Sequence, residues 1–218
     1  MEKDFWLERW ERQETGFHQD DVNPWLARYW ETIAPAAGGT VFVPLCGKSR
    51  DMLWLRKRGH PVIGVELSPI AVEAFFTENG YAPATSTLRD FRQCEADDIR
   101  ILCGDFFAMT ADDLAGVDAV YDRASLVALP PAMRQKYASH MLDMLAPGTR
   151  VLLVTFEYDQ TAMSGPPFAV TPEEVYALYG SRAKVEKLAT IDVLEDTPRF
   201  KARGLQWLNE NIFCVTKS

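Results

Sequence analysis

Residues 40–69 read TVFVPLCGKSRDMLWLRKRGHPVIGVELSP. Two short runs rich in β-branched residues, Val41–Leu45 and Val62–Leu67, bracket a segment, Arg50–Arg58, that reads as a helix. Both runs are almost continuously apolar, the mark of a strand covered on both faces, and strand–helix–strand is the repeating unit of a parallel sheet. Toward the C-terminus the alternation predicts strands at Ile99–Cys103, Val117–Tyr121 and Val151–Tyr158, with helices at Pro69–Asn79 and Ala132–Leu145. A further helix opens at Thr171-Pro172-Glu173-Glu174, with Thr at the N-cap, Pro at N1 and Glu at N3. Two closing strands, Ala183–Leu194 and Gln206–Thr216, have no helix between them and predict an antiparallel hairpin. The fold class is therefore α/β: a seven-stranded, mostly parallel sheet with a C-terminal antiparallel hairpin and helices on both faces. The polar segment Tyr81–Asp98, which contains Pro83, reads as an exposed insertion.

Toward the N-terminus, Asp4–Glu14 places Phe5, Trp6, Leu7 and Trp10 at helical spacing, and a second helix is predicted over Asn23–Ile33 with Pro24 in its first turn. Pro35–Gly39 then breaks the chain. A single domain over residues 1–218 is expected, with 1–38 a helical cover and 39–218 the α/β core. The 218 residues, 47% hydrophobic and 25% charged, suffice for a sizeable core and exclude extended disorder. No apolar run approaches the roughly 20 residues of a membrane span. A net charge of −8 without a Lys/Arg block argues against nucleic acid as a partner. The opening MEKDFWLERWER is charged, unlike a secretory signal, and a cytoplasmic location is expected. Cys46, Cys94, Cys103 and Cys214 show no CxxC spacing and lie far from the three histidines, so free thiols are expected and no metal.

In an open parallel sheet, ligands bind beyond the carboxyl ends of the strands, and four segments land there. Gly47-Lys48-Ser49, after the first strand, suggests a phosphate loop, but Phe42 stands where that pattern needs its first glycine. A tight turn remains, with helix amides facing a ligand carboxylate or phosphate, or serving structure alone. Glu66 ends the second strand about 20 residues beyond Gly47, the spacing at which an acidic side chain grips two ribose hydroxyls; capping of the next helix is its other reading. Cys103-Gly104-Asp105-Phe106-Phe107 follows the third strand and is able to meet an adenine edge and face, or simply to turn the chain. Tyr121-Asp122-Arg123-Ala124-Ser125 follows the fourth, where Arg123 either pairs with Asp122 or points at an anionic ligand group.

In order and spacing, FWLERWE, VFVPLCGKSRDMLWL, GVELSPIAVEAFF, CGDFF, YDRASLVALP and SGPPF resemble the thiopurine S-methyltransferases, particularly the bacterial ones. The resemblance covers essentially the whole chain, down to the missing glycine-rich loop, and implies the Rossmann-like class I methyltransferase fold. It implies S-adenosylmethionine as cofactor, S-adenosylhomocysteine as product, and methyl transfer to sulfur by in-line displacement. Cofactor contacts pass to Trp10, Leu45, Glu66 and Arg123, with Gly104 and Asp105 lining the adenine site, and a hairpin arginine, Arg203, is placed near the acceptor. Arg123 and Arg203 are then the candidates to favour an anionic acceptor, a small-molecule thiol or metalloid compound met by a monomer. Selenium or tellurium methylation is an alternative reading. A nicotinamide oxidoreductase shares the acidic residue but lacks GxGxxG. The N-terminal segment and the Ser164–Phe168 loop are expected to form a lid, unless Pro166-Pro167 simply stiffens that loop.

Overall fold

A computed structural model describes residues 3–218; Met1 and Glu2, which open the expected helical cover, lie outside the described residues. The chain divides into two compact units, Met1–Tyr121 and Asp122–Ser218.

The first unit starts with α1 (Lys3–Glu11) and α2 (Pro24–Ile33). Asn23 caps α2, its side chain accepting from the amides of Trp25 at 3.0 Å and Leu26 at 3.4 Å, while Pro24 loses no needed donor at the first position. Leu26, Trp30 and Ile33 are buried at helical spacing, each worth about 1.5–3 kcal/mol on leaving water. The strand–helix alternation follows with β1 (Thr40–Val43), α3 (Asp51–Lys57), β2 (Val62–Glu66), α4 (Pro69–Glu78), β3 (Ala84–Leu88), β4 (Phe91–Ala96), β5 (Ile99–Cys103) and β6 (Val117–Arg123), whose last two residues count with the second unit. Their order is β3-β4-β5-β2-β1-β6. β5, β2, β1 and β6 run parallel, in the register Val41↔Val62, Val62↔Ile99 and Val41↔Ala119. All five residues of β2 are buried, Glu66 included, as an almost continuously apolar run predicts for the first four. The chain lays β2 and β5 on one side of β1 and returns to lay β6 on the other, so the switch point falls at the carboxyl ends of β1 and β6.

The second unit carries α5 (Ser125–Ala128), α6 (Pro131–Met144), β7 (Arg150–Glu157), α7 (Pro172–Tyr179), β8 (Ala183–Asp192), α8 (Pro198–Lys201) and β9 (Asn209–Lys217). β9 lies between β7 and β8 and is antiparallel to both, which is the expected terminal hairpin. Thr171 caps α7 as its sequence predicts, its hydroxyl accepting from the Glu174 amide at 3.3 Å.

Nine strands stand among the described residues where the alternation predicts seven. The difference is the segment read as an exposed insertion: β3 and β4 form an antiparallel hairpin, and β4 pairs along β5 from Arg92↔Cys103 to Ala96↔Ile99. Backbone hydrogen bonds hold this edge while most of its side chains stay outside the core, so its sequence carries little periodicity. No helix among the described residues is long and apolar enough to cross a membrane.

Candidate active site

The turn after β1 is bent by two left-handed residues, Leu45 (φ +44) and Gly47 (φ +52). Leucine is rarely left-handed, and such strain persists where surrounding contacts over-determine it. The Cys46 amide bonds the Val65 carbonyl at 3.0 Å, and the Gly47 amide donates to Glu66 Oε2 at 2.9 Å. Glu66 Oε1 accepts from the Ser68 amide at 2.8 Å. Only 7% exposed, the Glu66 carboxyl is pushed up by burial, while N–H bonds from Ser68, Gly47 and Leu67 hold it down. Its alternative reading as the cap of the next helix passes to Ser68, whose hydroxyl accepts from the Ala71 amide at 3.4 Å.

Several of the amides expected to face a ligand from this turn are bonded to the protein's own groups. Gly47 N–H is held by Glu66, and Asp51 N–H by the Ser49 hydroxyl at 3.2 Å. The Asp51 carboxylate, 2% exposed, accepts from the Asn23 amide at 2.8 Å and ties α2 to the start of α3. Lys48 pairs with Glu78 at 2.6 Å, so the lysine of the GKS string serves no phosphate loop. Cys46 is buried, its thiol driven well above the ordinary range by burial and then by the Glu66 charge. It is a packed neutral thiol, unsuited to nucleophilic attack.

Trp10 lies over the same turn. A Cβ at Gly47 would stand 3.3 Å from Trp10 Cζ2, so this glycine meets both a positive φ and a close approach. Phe17, which sequence reading passed over, meets Trp10 and Trp6 edge-on at 5.5 and 5.7 Å. Gly104 donates its amide to the Glu66 carbonyl at 2.9 Å, and the space a Cβ would take is filled by the Phe91 ring at 2.6 Å. Asp105 caps the short 3-10 turn Phe106–Ala108 through the Phe107 amide at 3.0 Å. Its other oxygen meets Lys3 Nζ at 2.8 Å, fastening the start of α1. The first unit thus gathers Trp10, Leu45 and Glu66 about one turn, and chains Gly104 and Asp105 to Glu66 through the backbone.

In the second unit, Arg123 is the last residue of β6. Its neighbour Asp122 turns inward to accept from the Tyr137 hydroxyl at 2.9 Å, so the suspected Asp122–Arg123 ion pair is not formed. Arg199, which the sequence did not single out, shares its surroundings with Arg123 and Arg203. Burial, followed by the repulsion of those two guanidiniums, lowers its pKa. Its guanidinium lies 4.7 Å over the Phe200 ring, and Arg203 Nη1 donates to Met163 Sδ at 3.4 Å. The Ser164–Phe168 loop is braced by hydrogen bonds. Pro167 O accepts from the Tyr158 hydroxyl at 2.6 Å, Phe168 N donates to Val127 O at 2.7 Å, and Gln160 bridges Met163 and Ala169.

The donor set at Glu66 suits a ligand with two adjacent hydroxyls. A carboxylate has about four acceptor positions; Gly47 and Ser68 fill one on each oxygen, Leu67 also acts on the group, and room is left for a further donor. A doubly wound sheet with a buried acidic residue ending its second strand, bonded to the turn after its first, is the frame of the S-adenosylmethionine-dependent methyltransferases, and this chain is one. A 1,6-didemethyltoxoflavin-N1-methyltransferase from Burkholderia thailandensis, solved with S-adenosylhomocysteine, shares the fold at a TM-score of 0.66 and 16% identity, over 99% of this chain and 87% of that one. The family model of thiopurine S-methyltransferase (TPMT) matches residues 1–218, and the chain belongs to that family. Among curated relatives, the thiopurine S-methyltransferase of Nitrosospira multiformis is 58% identical over 99% of this chain and 98% of its own. That of Methylococcus capsulatus is 49% identical over 98% and 96%.

Proposed function

We propose that the chain methylates the sulfur of thiopurines and other aromatic or heterocyclic thiols, accepting them as thiolate anions. The observation that carries this reading is the set Arg123, Arg199 and Arg203. Among the described residues none of the three is joined to a carboxylate by an ion pair, and the charges of Arg123 and Arg203 act on Arg199. An anion bound among them relieves that repulsion, and their field favours the ionised thiol over the neutral one. Arg203 and Arg123 are the arginines expected beside the acceptor; Arg199, partly desolvated, joins them. The name shared by the curated relatives supports the same acceptor class.

S-adenosylmethionine, when bound, supplies an electrophilic methyl group on a sulfonium centre. On this reading Glu66 holds the ribose hydroxyls and the left-handed Leu45 turn fixes the approach to them. Trp10 gives an aromatic wall, Gly104 and Asp105 line the adenine end, and Arg123 is the arginine assigned to cofactor and acceptor. A strong general base is unnecessary where the arginines keep the acceptor ionised. Alignment and exclusion of water are then the protein's main contribution, with proximity supplying up to roughly 7–11 kcal/mol.

The test is release of S-adenosylhomocysteine by the full-length protein with a 6-thiopurine, an aromatic thiol and an aliphatic thiol. Turnover is expected for the first two and should fall strongly in Arg199→Ala and Arg203→Ala. A protein that binds S-adenosylhomocysteine yet methylates no aromatic or heterocyclic thiol would refute the acceptor assignment.

A further inference from the structure

The turn at the end of β6 has an unusual backbone. Ala124, between Arg123 and the first residue of α5, has φ +70, a left-handed conformation that alanine disfavours. Two residues before it stands Asp122, 1% exposed. Ser125, on the far side of Arg123 and Ala124, favours the charged form of this carboxylate through its hydroxyl and backbone N–H, while among the described residues the buried Oδ1 has no hydrogen-bond partner. From α6 the Tyr137 hydroxyl donates to Oδ2 at 2.9 Å, and from α7 the buried Tyr179 hydroxyl lies within the field of the same carboxylate. Alternation along the strand sends Asp122 inward and Arg123 to the opposite face. Only Arg123 and Ala124 lie between the two anchor points, so the backbone carrying the guanidinium is held on both sides.

We propose that Asp122 is a positioning residue for the methyl transfer: its buried carboxylate holds the Arg123–Ser125 turn and, through it, sets the direction in which the Arg123 guanidinium meets the acceptor. The proposal rests on the reading of Arg123 given above. Keeping a carboxylate here is costly, since burial pushes the Asp122 carboxyl up to about 6 against the bonds from Ser125 and Tyr137. An uncharged side chain would serve a purely structural tie with less desolvation. Tyr137 and Tyr179, the titratable groups facing it, are both driven well above the ordinary tyrosine range by burial. Asp122 is therefore the member of this group that changes charge near pH 6, and acceptor KM should rise as pH falls through that value.

The test is a double-mutant cycle of Asp122→Asn with Arg123→Ala in the full-length protein, read as methyl transfer to a 6-thiopurine. Asp122→Asn alone should lower kcat/KM about tenfold, mainly through acceptor KM, and should add nothing in the Arg123→Ala background. It should also melt no lower than the wild type near neutral pH. An equal loss in both backgrounds, or none in either, overturns the positioning role. So does a crystal structure of Asp122→Asn in which Arg123 and Ala124 keep their conformation. Arg123→Ala with wild-type kcat/KM would instead remove the reading of Arg123, and the proposal with it. If Asp122→Asn does not fold, Tyr137→Phe, which deletes one donor to the carboxylate, takes its place in the cycle with the same coupling expected.

Discussion

Glu66→Gln separates the two roles a carboxylate plays at the end of β2. In the wild type each oxygen accepts one backbone N–H, from Gly47 at 2.9 Å and Ser68 at 2.8 Å. The glutamine amide keeps one of these bonds and sets its NH2 against the other N–H, leaving a buried donor unpaired at a cost of about 1–3 kcal/mol. For a chain of this size that lowers the melting midpoint by about 2–4 °C per kcal/mol. The cofactor cost is separate. Two ribose hydroxyls that donate to a carboxylate make charge-assisted bonds, and losing the charge costs about 1–1.5 kcal/mol for each. The sum, about 2–3 kcal/mol, weakens S-adenosylhomocysteine binding about 30- to 150-fold, measurable by titration calorimetry. Because this grip is the same in ground and transition states, kcat at saturating cofactor should stay near the wild-type value while cofactor KM rises. A variant that melts lower yet binds S-adenosylhomocysteine with wild-type affinity would show that Glu66 staples the Gly47 turn and does nothing else. In the wild type the raised Glu66 pKa sets the sign of the pH effect: affinity should fall as pH drops through that pKa, which lies above the ordinary glutamate value of 4.5.

Three further outcomes are expected. Gly104→Ala puts a Cβ 2.6 Å from the Phe91 ring and should destabilise the fold by about 1–3 kcal/mol in a urea titration; an unchanged midpoint would mean that β4 yields without cost. The Asp122 carboxyl, raised from 3.8 to about 6, is easier to ionise in the unfolded chain, so its contribution favours folding most at acid pH and falls by roughly 3 kcal/mol as pH rises through about 6. The stability difference between Asp122→Asn and the wild type should therefore shift in favour of the variant from pH 4 to pH 8, and a pH-independent difference would contradict this. Cys46→Ala should retain methyl transfer, because the thiol is buried and held neutral; loss of turnover with cofactor binding intact would place sulfur chemistry at that position.

Much of the frame was legible because local signals and tertiary demands coincide. The apolar runs of β1 and β2, the Asn23-Pro24 and Thr171-Pro172 helix starts, and the interval from Gly47 to Glu66 each have a local physical cause that the folded chain preserves. The β3–β4 hairpin was not legible, since its stability comes from backbone pairing with β5 and not from a buried side-chain face. Arg199 was passed over for a related reason. In the sequence it is one arginine after a proline; what distinguishes it is its burial and then the repulsion of Arg123 and Arg203, both of which arise only on folding. The Asp122-Arg123 dipeptide invited an ion pair, and strand alternation instead sent the two side chains to opposite faces.

The sequence by itself determined the alternation of core strands and helices, the family, and the residue types at the carboxyl ends of the strands, because periodicity, caps and motif spacing are local properties of the chain. Only the tertiary structure decided which of those residues are already spent. It committed the Gly47 amide to Glu66 and Lys48 to Glu78, filled the missing Cβ of Gly104 with Phe91, and brought Arg123 and Arg203 near Arg199. Hydrogen-bond partners, burial and electrostatic repulsion depend on groups distant in the chain, and their distances exist only once the chain has folded.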